Sequence, residues 1–180
     1  MKNIVDIIKN NWLLILIGLW FIYSIFFTAD RDFAGNVTKS GWINADQLKA
    51  GDCILDNDLV EDTHIDSEDV SYYRYWATPC EQEHSAEVFY QYDLGDKYNE
   101  WPGVDILNND IDEICYTAFE NHIGLSIDEI IMNYPEESDY LDINGFYPLE
   151  DSWYLLKTLD CFVYNYEDEL LIGSIKDLLR

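Results

Sequence analysis

Few side chains in this sequence can do chemistry. Four cysteines (Cys53, Cys80, Cys115, Cys161) and three histidines (His64, His84, His122) stand among 36 Asp and Glu. No two cysteines form a C-x-x-C pair and no histidine sits at metal-ligand spacing from one, so the pattern offers no zinc motif. G-x-S-x-G, the P-loop and G-x-G-x-x-G are all missing, which removes the common signatures of acyl transfer, phosphate cradling and dinucleotide binding. His84 with Glu87 is the pair worth weighing. They read either as metal ligands or a polarised imidazole, or as a turn histidine whose ring bonds backbone and fixes the loop after Cys80. No third ligand is evident, so the turn reading is preferred. His122 lies near the end of an expected helix, where the helix dipole favours a cation. A glycosidase needs two carboxylates across a cleft; among 36 acids two can always be found, so that idea gains nothing.

Asp56-Asn57-Asp58 opens like a calcium loop, and Asp62, Asp66, Glu68 and Asp69 add oxygens. The glycine and terminal glutamate of an EF-hand are missing, and this stretch, with His64, reads as a solvated loop. Trp76 and Trp153 read as core. Trp42 and Trp101 fall in expected loops, and exposed aromatics beside carboxylates can stack on sugar rings. They join His84 and Glu87 as candidate binding residues; no catalytic residue, metal site or cofactor is expected.

The net charge is -26, with a pI near 4.1. A nucleic-acid binder needs a basic face to neutralise phosphates, and an anionic lipid surface is likewise repelled. Disorder is excluded by 48% hydrophobic and 16% aromatic content.

The elements that must position these residues begin with Trp12 to Phe27, sixteen residues without a charge. Extended to Ala29, the run rises about 27 Å, close to the ~30 Å hydrocarbon core. Lys2 and Lys9 precede it and Asp30, Arg31 and Asp32 follow, which puts the N-terminus in the cytoplasm and the rest outside the cell membrane. Phe27-Thr28-Ala29 sets a bulky residue where signal cleavage wants a small one. Residues 1–29 are therefore expected as cytoplasmic N-terminus and signal anchor, 30–45 as a linker and 46–180 as an exported domain. Export and an even cysteine count imply two disulfides. Three pairings are possible; Cys53–Cys80 and Cys115–Cys161 join segments expected to lie side by side.

Within the domain, Asp46 to Gly51 suggests a helical turn ended by glycine, and Cys53 to Leu55 a short strand. Val70 to Pro79 and Ala86 to Leu94 read as strands paired in a hairpin, with Val88, Tyr90 and Tyr92 on one face and Glu87, Phe89 and Gln91 on the other. Val104 to His122 is the main helix: Leu107, Ile111, Ile114, Cys115, Ala118 and Phe119 face inward, while Asp105, Asp110, Asp112, Glu113 and Glu120 face away. Gly124 stops it. Ile127 to Tyr134 fits strand or short helix. Leu159 to Tyr166 is a strand, and Leu170 to Ser174 a returning one. The fold class is α+β: a small antiparallel sheet packed with one main helix, held by two disulfides and preceded by one transmembrane helix.

Leu48-Lys49-x-Gly51-Asp52-Cys53, followed by Cys80-x-x-x-His84-x-Ala86-Glu87-Val88-Phe89, resembles the opening of the septum formation family of exported bacterial domains. The later landmarks agree: a helix bearing Cys115 and Phe119, Pro148 with Ser152-Trp153, Cys161, then Leu171-Ile172-Gly173-Ser174. The likeness runs from about Gln47 to Asp177. Tyr154 to Leu159 replaces a usual Gly-Asp-Arg run, Glu83 replaces a usual proline, and the acidic loop and Glu136 to Phe146 look like insertions. The resemblance implies a tethered, outward-facing interaction module linked to cell division or envelope assembly, its partner an envelope protein or, in the alternative, a cell-wall glycan or cation. The intact chain should take up no alkylating agent until reduced and four equivalents afterwards; intact mass with and without reductant checks this, and also reports whether residues 1–29 are retained.

Overall fold

The computed structural model describes residues 4–55, 74–135, 140–165 and 169–179, without the side chains of 4–11 and 24–27. The calcium-like loop, His64 and residues 70–73 lie outside the described residues. A 24-residue helix, α1 (Ile4–Phe27), opens the chain. Its described side chains, Trp12 to Tyr23, are all exposed. Among the described residues no helix is long and apolar enough to cross a membrane; residues 12–23 alone rise about 18 Å, short of the ~30 Å hydrocarbon core.

The body is α+β. β1 (Asp30–Arg31) and β2 (Val37–Lys39) form a two-stranded ribbon. β3 (Gly41–Asn44), β4 (Cys53–Ile54), β5 (Arg74–Thr78), β6 (Ala86–Asp93), β7 (Leu141–Phe146) and β8 (Thr158–Asn165) form one antiparallel sheet in the order β3-β5-β4-β6-β8-β7. α2 (Val104–Asp110), a π-helical turn at Ile111–Cys115 and α3 (Tyr116–Ile123) follow one another without a break. α4 (Ile127–Asn133) and α5 (Ile175–Leu178) are shorter. The sheet is thus larger, and the helices more numerous, than one small sheet with one main helix.

Successive residues of a strand point to opposite faces, and β8 shows how the core divides. Leu159, Cys161 and Val163 join Leu107, Ile111, Cys115 and Phe119 on the helix side. Phe162 and Tyr164 join Ile43, Ile54, Tyr75, Val88 and Phe146 on the other. Both expected disulfides are present. Cys115–Cys161 fastens the π turn to β8, and Cys53–Cys80 fastens β4 to the turn after β5. Leu107, Ile111, Cys115 and Phe119 recur every four residues, overshooting an α-helical turn by about 40° each time. The wider π turn absorbs that drift and keeps all four on the sheet. Gly145 permits the close approach, because a Cβ there would lie 2.7 Å from Leu159 Cδ1 and 3.1 Å from Ile111 Cγ1.

Several expectations are corrected. β5 and β6 do not pair as a hairpin, because β4 lies between them. A bulge between Val88 and Tyr90 breaks the alternation of β6, so Val88 enters one core while Phe89 and Tyr92 join the other. Asp110 does not face away; it is buried, and Lys97 Nζ donates to its Oδ1 at 2.7 Å. Residues 30–45 are folded, not a bare linker: they hold β1, β2 and β3, and Val37 and Ile43 are core residues. Leu141 to Phe146, to which no element was assigned, is an edge strand of the main sheet. Leu171 makes only an isolated bridge to His84, after which the chain turns into α5.

The join between helix and body is tight. Thr28 bridges Trp42, Tyr23 Oη accepts from Arg74 Nη1 at 2.7 Å, and Lys39 Nζ donates to Thr28 O at 3.2 Å. A Cβ on Gly41 would collide with the backbone of Thr28 and Ala29. Gly41→Ala should therefore cost about 1–3 kcal/mol, read as a lower urea midpoint; an unchanged midpoint would mean this approach is not made.

Candidate functional site

A concave surface lies between β6 and the main helix. Phe89, Tyr90 and Tyr92 form one wall; Glu113, Ile114, Thr117, Ala118, Asn121 and His122 form the other, around a groove of about 500 Å³. The bulge in β6 makes it, by bringing Phe89, Tyr90 and Tyr92 to the same side. Phe89 is buried and packs edge-on against Phe119, leaving the tyrosines as the accessible aromatic surface. The His122 ring lies 6.0 Å from Phe89, centroid to centroid, and its Nε2 is buried without a hydrogen-bond partner. Burial, then the charge of Lys176, holds His122 below the ordinary histidine value. Such a wall, apolar faces with a few polar groups at the rim, suits binding of a small or extended ligand.

A second centre lies beneath the Cys53–Cys80 disulfide. His84 and Glu87 are both buried. His84 Nδ1 is 2.9 Å from Gln82 O; a carbonyl only accepts, so Nδ1 carries the proton. His84 Nε2 is then a bare lone pair, buried and, among the described residues, without a partner. Burial holds this ring, too, below the ordinary histidine value. Glu87 Oε1 accepts from Ser174 Oγ at 3.0 Å and Oε2 from Ile175 N at 2.7 Å, yet burial still raises its pKa. Leu171 exchanges backbone hydrogen bonds with His84, and Gly173 N donates to Cys80 O. This pair therefore anchors the C-terminal segment to the turn after Cys80, a role the sequence did not suggest.

A third polar cluster ties β1 to the core. Arg31 makes two hydrogen bonds to the buried Asp52 carboxylate, the longer at 2.6 Å, and Lys49 N donates to the same group at 2.8 Å. Gln91 Nε2 bridges Leu48 O and Asp160 Oδ1. Burial, with the nearby charge of Asp52, raises Asp160 to about 6.

The structure brings together His84, Glu87, Cys53 and Cys80. Cys115 and Cys161 lie apart, in the other core. Trp42 is on β3, edge-on to Trp76, and Trp101 packs against Trp153; neither lines the groove. The groove residues Tyr90, Tyr92, Thr117 and Asn121 were not singled out by sequence reasoning. Their only signal was the aromatic density of β6, and the bulge that gathers it has no sequence mark. Compared with known proteins, the chain matches no family model, no curated protein and no solved structure.

Asp160 makes folding pH-dependent. Its folded value of about 6 exceeds the ordinary 3.8, so its favourable contribution is complete below pH ~4 and is lost as pH rises through ~6. At 1.36 kcal/mol per tenfold, the loss is roughly 3 kcal/mol. Asp160→Asn should flatten the stability profile between pH 4 and 6 in urea melts; an unaltered slope would remove Asp160 as its source.

Proposed function

We propose that this chain is a non-catalytic binding or scaffold domain, held at the outer face of the cell membrane by α1, with the groove beside β6 as its ligand site. What carries the reading is the contrast between helix and body. Trp12, Leu13, Leu14, Leu16, Leu19 and Trp20 are each at least half exposed, an apolar surface far larger than a soluble monomer leaves uncovered. The body beside it is closed by two disulfides, which persist in oxidising compartments. In the sequence the uncharged run from Trp12 to Ala29 corresponds to about 27 Å of helix, close to the ~30 Å hydrocarbon core. The resemblance to the septum formation family links the domain to division or envelope assembly.

Tyr90 and Tyr92 in the groove favour one second reading, a cell-wall glycan as the ligand. Chemical crosslinking in intact membranes, followed by capture of the chain, tests the first reading, and sedimentation with purified peptidoglycan tests the second. Thr117 is exposed on the groove wall, so Thr117→Trp fills the groove without entering the core. It should reduce either interaction tenfold or more while leaving the melting temperature within about 2 °C, as surface substitutions do. Undiminished binding by Thr117→Trp would move the ligand elsewhere.

A further inference from the structure

Cys53 supplies the third group that His84 and Glu87 lack as ligands. One ring nitrogen of His84, Sγ of Cys53 and a carboxylate oxygen of Glu87 all lie within 4.8 Å of one another, and all three residues are buried. The imidazole already has the second-shell arrangement of a ligating histidine. Nδ1–H is fixed by a backbone carbonyl and Nε2 is left as a bare, buried lone pair with no partner among the described residues. Serine and backbone donors fix the Glu87 carboxylate in turn. While Cys53 is bonded to Cys80 its sulfur is not a thiolate, so the cluster lacks that ligand.

We propose that reduction of Cys53–Cys80 opens a zinc site ligated by Cys53, His84 and Glu87, with the freed Cys80 as fourth ligand. Cys80 is half-buried while Cys53 is fully buried, so a dithiol reductant attacks Cys80 first. It transfers two electrons and two protons, converting the disulfide to two thiols and leaving as its own disulfide. Zn²⁺ then displaces the two thiol protons to solvent and takes one nitrogen, one oxygen and two sulfurs. Metal–ligand bonds of about 2.0–2.3 Å place tetrahedral ligand atoms roughly 3.3–3.8 Å apart. No separation exceeds 4.8 Å, so the cluster contracts by about 1.5 Å at most, and breaking the S–S bond frees the Cys53 side chain to do so. Cys80 and His84 are four residues apart, while Cys53 lies far upstream, so the set has no linear motif.

The test titrates the full chain, oxidised and reduced, with Zn²⁺ against a chromophoric chelator. Millimolar calcium masks the acidic surface. The expected result is one zinc per reduced chain and none per oxidised chain. With Co²⁺ in place of zinc, the reduced chain should show the absorption of tetrahedral thiolate coordination. His84→Ala should weaken binding at least 100-fold, and Glu87→Gln by about 10-fold or more, whereas His122→Ala should leave it unchanged. Should His84→Ala not fold, Glu87→Gln, which preserves shape, decides. Equal zinc uptake by oxidised and reduced chains, none by either, or full uptake by both variants overturns the proposal and leaves the Nε2 lone pair to a buried water.

Discussion

The sheet is held together through two residues. β5 and β6 meet only by way of β4, and β4 is Cys53 and Ile54. Cys53 pairs with Thr78 on one side and Glu87 on the other; Ile54 pairs with Ala77 and Ala86. A strand this short has little hydrogen bonding with which to hold its register. Covalent closure to Cys80 fixes it from one end, and Asp52, bonded to Arg31 and Lys49 N, fixes the other. From this joint the ribbon, the edge strands and the C-terminal segment take their places. The second disulfide acts on the opposite face and ties the helix to the sheet it covers.

Buried polar groups accumulate around that joint. Asp52, His84 and Glu87 surround Cys53, and Asp160 lies further along the same sheet. An unpaired buried charge costs several kcal/mol, so each carboxylate here has a donor: Arg31, Ser174 with Ile175 N, or Gln91. In a chain with 36 acids and 10 bases, cations are scarce, and uncharged donors supply most of this satisfaction. A preference for backbone and hydroxyl donors follows from composition.

Much of the framework could be read in the chain. The long leading helix, β6, β8 and the stop at Gly124 follow from local pattern, because alternation and helical spacing are properties of neighbours; the disulfide pairing found is one of the three the sequence left open. What escaped reading depends on insertion and on distant contacts. Nothing near Val70 to Leu94 announces that Cys53 and Ile54 will slip between two strands. The bulge at Val88–Tyr90 reverses a parity that alternation alone would keep. Asp110, three residues after Leu107, lies on the inward side of α2 and meets Lys97 there, a contact its charge alone did not suggest. The groove escaped for the same reason, since it is a product of that bulge. His84 with Glu87 was legible as a pair, but Cys53 joins them only through the sheet.

The absence of slack after α1 carries a mechanical consequence. Thr28 is already bridged to Trp42, and Arg74 reaches back to Tyr23, so helix and body form one lever. Any force that turns α1 therefore turns the body with it, and the orientation of the groove beside β6 is set from the helix end.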